Sequence, residues 1–152
     1  MISEKNISQK ALFARRRLID LGYRTGRSGA HFGSSLSLVD LVTNIYSIFF
    51  KNGVKGCRDS DRNKFILSKG HGALGYFAVL ETYGFMQADQ TSGFEQNGTN
   101  VFAHAHKSLS NGIEYSGGSL GLGVSFGVGV AIANKINKIN SKIIVLAGDG
   151  EC

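Results

Sequence analysis

The chain has 152 residues, 42% hydrophobic and 18% charged, and a net charge of +6. That fits one globular domain or part of one, and the positive charge favours anionic partners such as phosphates without selecting among them. Two cysteines, Cys57 and Cys152, exclude a disulfide framework. With no secretory signal core, and a longest apolar run (residues 120–133) too short to span a bilayer, the expectation is a cytoplasmic protein with no membrane segment.

In chain order, Leu12, Arg15, Arg16, Ile19 and Tyr23 recur at three- and four-residue spacing over 5–24, with Ala11, Leu18 and Leu21 beside them, and predict a helix. Residues 25–35 are rich in Gly and Ser and read as a loop. Ser37 is the expected cap of a second helix, whose apolar face is Val39, Val42, Ile45, Tyr46 and Phe49 and whose first turn holds Asp40. Gly53, Gly56 and the cluster at 59–62 break the chain. Residues 65–67 read as a short strand, and Gly70-His71-Gly72 leads from it into a third helix over 73–84. The polar stretch 87–111 has no period and reads as a long functional loop with a short helix at 90–96.

Residues 121–135 read as a helix despite their glycines, with Gly123, Gly127 and Ala131 forming a smooth face for close packing. Residues 143–147 read as a buried strand that opens into Gly148-Asp149-Gly150. Apolar strands alternating with helices give the expected fold class: α/β, a partial doubly wound parallel sheet with flanking helices, incomplete at the C-terminus, in one unit over 1–152.

The chemistry-bearing residues gather in the loops. The Gly-Asp-Gly turn offers backbone N–H groups to an anion and a carboxylate to a divalent cation. All four histidines lie in glycine-rich or polar connections, as Gly29-Ala30-His31, Gly70-His71-Gly72 and His104-Ala105-His106, rather than on the apolar face of a regular element. Such connections cross the ligand-binding end of an α/β sheet, where an imidazole can relay protons or bond a phosphate.

Three other patterns are weaker. His104 and His106 would share one face of an extended segment and could chelate zinc, but no Cys or acidic residue stands at ligand spacing. Residues 70–75 match the dinucleotide-binding string G-x-G-x-x-G, with Asp89 about 20 residues on, yet they follow two helices and a short strand. The basic run Arg15-Arg16-Arg17 scatters around its helix, interrupted by Asp20, and reads as a solvated or assembly face rather than a nucleic-acid site.

Four stretches in order resemble the N-terminal part of transketolases: S-G-A-H-F-G-S-S-L-S-L-V-D-L, D-R-N-K-F-I-L-S-K-G-H-G-A, H-A-H-K-S-L-S-N-G-I-E-Y-S-G-G-S-L-G-L-G and V-L-A-G-D-G-E-C. The chain is most similar in feel to the N-terminal subunit of two-chain enzymes of that family. The resemblance implies thiamine diphosphate and Mg2+ as cofactors and transfer of a two-carbon ketol unit between sugar phosphates. It implies that His31 faces the substrate hydroxyl where the carbon–carbon bond breaks. It puts His71 between the cofactor diphosphate and the substrate, and His104 at the first hydroxyl of the donor. Gly118, Ser119 and Leu120 would line the thiamine ring, Asp149 would bind magnesium and Gly150 would contact the diphosphate.

The sequence departs from the family pattern at Phe32, where the family has Pro, at Gly117, where it has Thr, and at Leu122, where a polar residue is common. An Asn that would be the second magnesium ligand falls beyond Cys152, as does a separate pyrimidine-binding domain. The resemblance therefore implies a C-terminal subunit or region as partner, and a dimer in the complete enzyme. The alternatives are a non-catalytic remnant or assembly partner and, more distantly, a dinucleotide-binding module.

Overall fold

The computed structural model describes residues 4–50, 53, 59 and 61–152. Their regular elements are α1 (Glu4–Arg24), α2 (Phe32–Phe49), β1 (Lys64–Leu67), α3 (Ala73–Thr82), α4 (Ala88–Ser92), α5 (Leu122–Ile136) and β2 (Ile143–Leu146). Gly56, Cys57 and Ser60, in the expected chain break, lie outside the described residues.

β1 and β2 pair in parallel, Lys64 opposite Ile143 through Leu67 opposite Leu146. Parallel neighbours need a long crossover, and residues 68–142 supply it, carrying α3, α4 and α5. Alternate side chains face opposite ways. Phe65 and Leu67 join the main core with Ile144 and Leu146 against it. Ile66 and Val145 face α5, where Gly127 makes room: a Cβ there would stand 2.5 Å from Val145 Cγ2. The sheet is thus covered by helices on both faces, the α/β arrangement expected.

The main core lies where α1, α2 and α3 pack together over β1. α1 contributes Ala11, Ala14, Leu18 and Leu21, α2 contributes Leu38, Val39, Val42 and Tyr46, and α3 is buried from Ala73 to Leu80. Gly22 accepts the Phe32 ring, and Gly75 lies against the Ser35 backbone, so helix axes approach closely. Tyr46 and Tyr76 share a buried hydroxyl–hydroxyl hydrogen bond of 2.9 Å. α2 is long and apolar enough to cross a membrane by length and composition, but here it packs between α1 and α3.

Several sequence expectations are corrected. Leu12, Ile19 and Tyr23 are exposed, whereas Ala11, Leu18 and Leu21 of the same pattern are buried together with Ala14 and Gly22, whose small size permits close packing. α2 begins at Phe32, not after Ser37; the Phe32 ring seated on Gly22 starts the helix early, and the Ser37 hydroxyl donates back to the Ser34 carbonyl. α3 stops at Thr82, and the short helix is at 88–92, capped by Gln87 and Gln90. The 87–111 stretch is pinned by buried Phe94, Val101 and Ala105. On α5 the packed face runs Gly123, Gly127, Asn134, and Ala131 is exposed. The opposite face of α5 exposes Leu122, Val128, Ile132 and Ile136, each more than half accessible.

The basic run is also not uniformly solvated. Arg15 pairs with Asp40 of α2. Arg17 reaches Glu81 at 2.8 Å and Asp20 at 2.8 Å, and donates to the Ala88 carbonyl and the Thr91 and Ser92 hydroxyls, locking α1 to α3 and α4.

Candidate functional site

Four connections converge at the C-terminal ends of the strands: residues 25–31 before α2, 68–72 after β1, 103–121 before α5, and 147–151 after β2. That is the end at which open α/β sheets bind ligands. The convergence brings together histidines distant in sequence. The His31 ring lies 5.9 Å from His71 and 6.3 Å from His104, both edge-on. His106 turns away and packs on Phe102 at 4.8 Å, so it shares no site with His104.

Glycines set these approaches. A Cβ on Gly70 would stand 2.8 Å from His104 Cδ2 and 3.1 Å from the Gly118 nitrogen, so both rest directly on the Gly70 backbone. The Gly117 N–H donates to the Ala105 carbonyl at 2.9 Å, fastening the 103–106 strip to the 116–118 strip. The rest of the G-x-G-x-x-G string is filled by protein. Gly72 faces Leu38, with 2.5 Å to a built Cβ, and Gly75 faces the Ser35 carbonyl. These glycines serve packing of α3 on α2, and Asp89 lines a different cleft beside His106.

A cleft of about 390 Å³ opens between the first turn of α2 and the Gly-Asp-Gly turn, lined by Gly33, Ser34, Ser37, Lys69, His71, Leu120 and residues 148–151. Of the expected site residues, His71, Leu120, Asp149 and Gly150 share this cleft. His31 and His104 stand beside it through His71. Gly118 rests on Gly70 outside the lining, and Ser119 is exposed outside it as well. The Lys69 ammonium donates to the Ser34 carbonyl at 3.1 Å and to Ser37 Oγ at 3.0 Å.

Charge in the cleft is finely balanced. Burial holds His71 below the ordinary imidazole value of 6.5; His31, Lys69 and His104 push the same way and Glu151 opposes them. Burial also lowers Lys69, against the pull of Asp149 and Glu151. For Glu151 burial pushes upward but is outweighed by the Gly121 and Gly148 N–H groups, the Ser68 hydroxyl and His71, so its carboxyl titrates below the usual range. A neutral His71 suits proton exchange with a bound hydroxyl, and with one ammonium (Lys69) against two carboxylates (Asp149, Glu151) the lining needs a divalent cation to accept a phosphate.

The donor set fits magnesium held jointly with a phosphate ligand. Asp149 offers one hard carboxylate on an exposed turn, and among the described residues no three His, Cys, Asp or Glu side chains cluster to hold a metal alone. Magnesium typically takes one or two carboxylates, ligand phosphate oxygens and water.

Sequence reasoning passed over Lys69, Ser34, Ser37, Ser68 and Glu151. Glu151 carried a readable signal, since an acidic residue three positions after a turn-starting glycine can reach back to that glycine's N–H. It also passed over Arg62–Glu114, a largely buried ion pair of 2.5 Å that ties the entry of β1 to the strip leading to Gly117. Burial pushes Glu114 up and Arg62 opposes that shift.

Residues 8–150 match the family model described as transketolase, thiamine diphosphate binding domain. The chain is 34% identical over 150 residues to one subunit of the apulose-4-phosphate transketolase of Actinobacillus succinogenes, covering 99% of this chain and 54% of that protein. It is 33% identical over 132 residues to the transketolase of Rhodobacter capsulatus, covering 81% of this chain and 20% of the relative. Among solved structures, transketolase from Campylobacter jejuni superposes with a TM-score of 0.85 at 25% identity, over 98% of this chain and 24% of that one. The chain thus spans about half the length of the Actinobacillus relative and a fifth to a quarter of the longer transketolases. With an ordered motif set, a matching fold and a family match over nearly its whole length, this chain belongs to the transketolase family, within its thiamine diphosphate-binding domain.

Proposed function

We propose that this chain forms the diphosphate side of a thiamine diphosphate and magnesium site in a transketolase that moves a two-carbon ketol unit between sugar phosphates. The observation that carries this reading is the meeting of His31, His71 and His104 beside a cleft floored by Asp149 and Gly150. Bound thiamine diphosphate would supply the carbanion chemistry. The chain's own residues bind and relay protons. Asp149 holds the cation, and the Gly150 backbone approaches the diphosphate without a side chain in the way. The 118–120 strip would line the thiamine ring, with Leu120 in the cleft wall. His71, held neutral, would act between diphosphate and substrate. His31 meets the substrate hydroxyl at the carbon–carbon bond, and His104 the first hydroxyl of the donor.

Further polypeptide completes the site, either from a second chain or as more of the same protein, in a dimeric enzyme. Three observations support this. The chain covers about half of a relative that is itself named as one subunit of a transketolase, β2 is only half-buried, and the outer face of α5 exposes Leu122, Val128, Ile132 and Ile136. Apolar surface of that kind marks protein–protein contact.

The test is ketol transfer between sugar phosphates by the complete enzyme, with His71→Ala and Asp149→Ala made together. The expected result is loss of activity, with magnesium dependence in the parent protein. Retained transfer in the double variant would overturn the reading.

A further inference from the structure

Beside the cleft, one side chain joins three elements that are otherwise separate. Glu151 Oε1 accepts from the Ser68 hydroxyl at 2.7 Å and from the Gly121 N–H at 2.8 Å, while Oε2 accepts from the Gly148 N–H at 2.6 Å. Ser68 is the residue after β1, Gly121 the N-cap of α5, and Gly148 the start of the turn after β2. All three donors are spent on one carboxylate.

The partners themselves are rigid. Ser68 is fully buried and its N–H donates to the Leu146 carbonyl at 2.9 Å. Its Cα fills the space over Gly123, where a Cβ would stand 2.6 Å away. Gly121 has φ of +82°, a left-handed conformation that glycine adopts without strain and other residues resist. The Glu151 backbone N–H also closes on the Gly148 carbonyl at 3.1 Å, so the turn is held by main chain and side chain together.

The consequence concerns the two halves of the candidate cofactor site. Gly118, Ser119 and Leu120 immediately precede Gly121, and Asp149 and Gly150 lie between Gly148 and Glu151. We propose that Glu151 is a positioning residue that fixes the separation between the strip facing the thiamine ring and the turn facing the diphosphate. Its side chain lies at the cleft wall, but both carboxylate oxygens are already engaged by Ser68, Gly121 and Gly148. Glu151 thereby sets the span that one rigid ligand must bridge. A carboxylate suits this task because its two oxygens accept all three bonds and no proton competes for them, whereas an amide offers one accepting oxygen. This inference rests on the proposed function of the site.

The test uses the protein as purified from its own cells, with any polypeptide that accompanies it, and compares the parent with Glu151→Ala and Glu151→Gln. Two probes are titrated by calorimetry at saturating magnesium: thiamine diphosphate, which spans both halves, and methylenediphosphonate, which occupies the turn alone. The expected result is a loss of roughly tenfold to a hundredfold for thiamine diphosphate in the Ala variant, a smaller loss in the Gln variant, and a much smaller loss for methylenediphosphonate in both. Amide exchange should accelerate at Gly121 and Gly148 while Val79 in the core stays protected.

Equal losses for the two probes would make Glu151 a general folding residue and overturn the proposal, as would unchanged binding of thiamine diphosphate or unchanged exchange at the two glycines. If the Ala variant does not fold, the Gln variant carries the same comparison. A parent protein that binds neither probe would overturn the proposed function itself, and the Glu151 role with it. Failure of the Glu151 proposal alone appears only in the variants.

Discussion

Gly123 packs directly on Ser68: a Cβ at Gly123 would lie 2.6 Å from the Ser68 Cα, Cβ and Oγ. This contact seats the first turn of α5 on the end of β1 and carries the 118–121 strip to the cleft. Gly129, on the same helix, has nothing within 4 Å of a built Cβ. The two glycines therefore give opposite responses to one substitution. Gly123→Ala should destabilise by ~1–3 kcal/mol through overpacking against backbone, and Gly129→Ala should stabilise by about 1 kcal/mol through helix propensity. Urea midpoints of the two variants against the parent check both signs.

Arg17 and Arg16 are neighbours with different burdens. Arg17 is 13% exposed and holds Glu81, Asp20 and the start of α4 at once. Arg16 points to solvent. Arg17→Ala leaves the Glu81 carboxylate, 10% exposed, with the Thr91 hydroxyl but no charge partner, and should cost roughly 3 kcal/mol. Arg16→Ala should fall within about 0.5 kcal/mol of the parent. Chemical denaturation separates them, and an Arg17→Ala variant as stable as Arg16→Ala would show that the network is dispensable.

The elements and the site were legible to different degrees. Strand–turn positions such as Leu67 to His71 and Leu146 to Asp149 were readable because apolar runs ending in glycine have few alternatives. Four ordered motifs fixed the family for the same reason. The buried side of α1 was readable in part: Ala11, Leu18 and Leu21 of the apolar pattern are buried, but Leu12, Ile19 and Tyr23 face outward while Ala14 and Gly22, which carry little apolar signal, pack inward. The start of α2 was missed because Ser37 has the better capping chemistry, while Phe32 wins through a tertiary contact with Gly22 that no local pattern contains. Glu151 was missed because its partners, Ser68 and Gly121, lie 83 and 30 residues away.

His71 titration gives a pH test. Burial, His31, Lys69 and His104 lower its pKa, and Glu151 raises it in part. Its NMR midpoint should lie below 6.5. Lys69→Met and His31→Ala should each raise that midpoint by removing a group that disfavours the imidazolium. The sign of the stability effect follows. A histidine with a folded-state pKa below its unfolded value favours the native state fully above the unfolded value, and this contribution fades as pH falls through the folded value. The parent should lose stability on acidification below about pH 6.5, and His71→Gln should lose less over the same window. Equal pH slopes would place the acid sensitivity elsewhere.

Gly70 offers the sharpest separation of site geometry from fold. Its backbone carries both the His104 ring and the Gly117–Gly118 peptide, at 2.8 Å and 3.1 Å from a built Cβ. An added methyl must push away one or both. The His104 ring can swing at modest cost, whereas the Gly118 nitrogen belongs to a strip fastened to Ala105 through Gly117. Gly70→Ala should thus move His104 away from His31 and shift the strip expected to face the thiamine ring. The helical core around Ala78 and Val79 lies away from this contact and should stay intact. The expected outcome is thiamine diphosphate affinity reduced by about tenfold or more, with a far-ultraviolet spectrum like the parent's and a denaturation midpoint only slightly lower. A variant with parental cofactor affinity would show that the Gly70 contact does not shape the site. Gly84→Ala serves as the control: its φ of +73° makes alanine strained there, and nothing lies within 4 Å of a built Cβ. It should lower stability with cofactor affinity unchanged, the reverse of the pattern expected at Gly70.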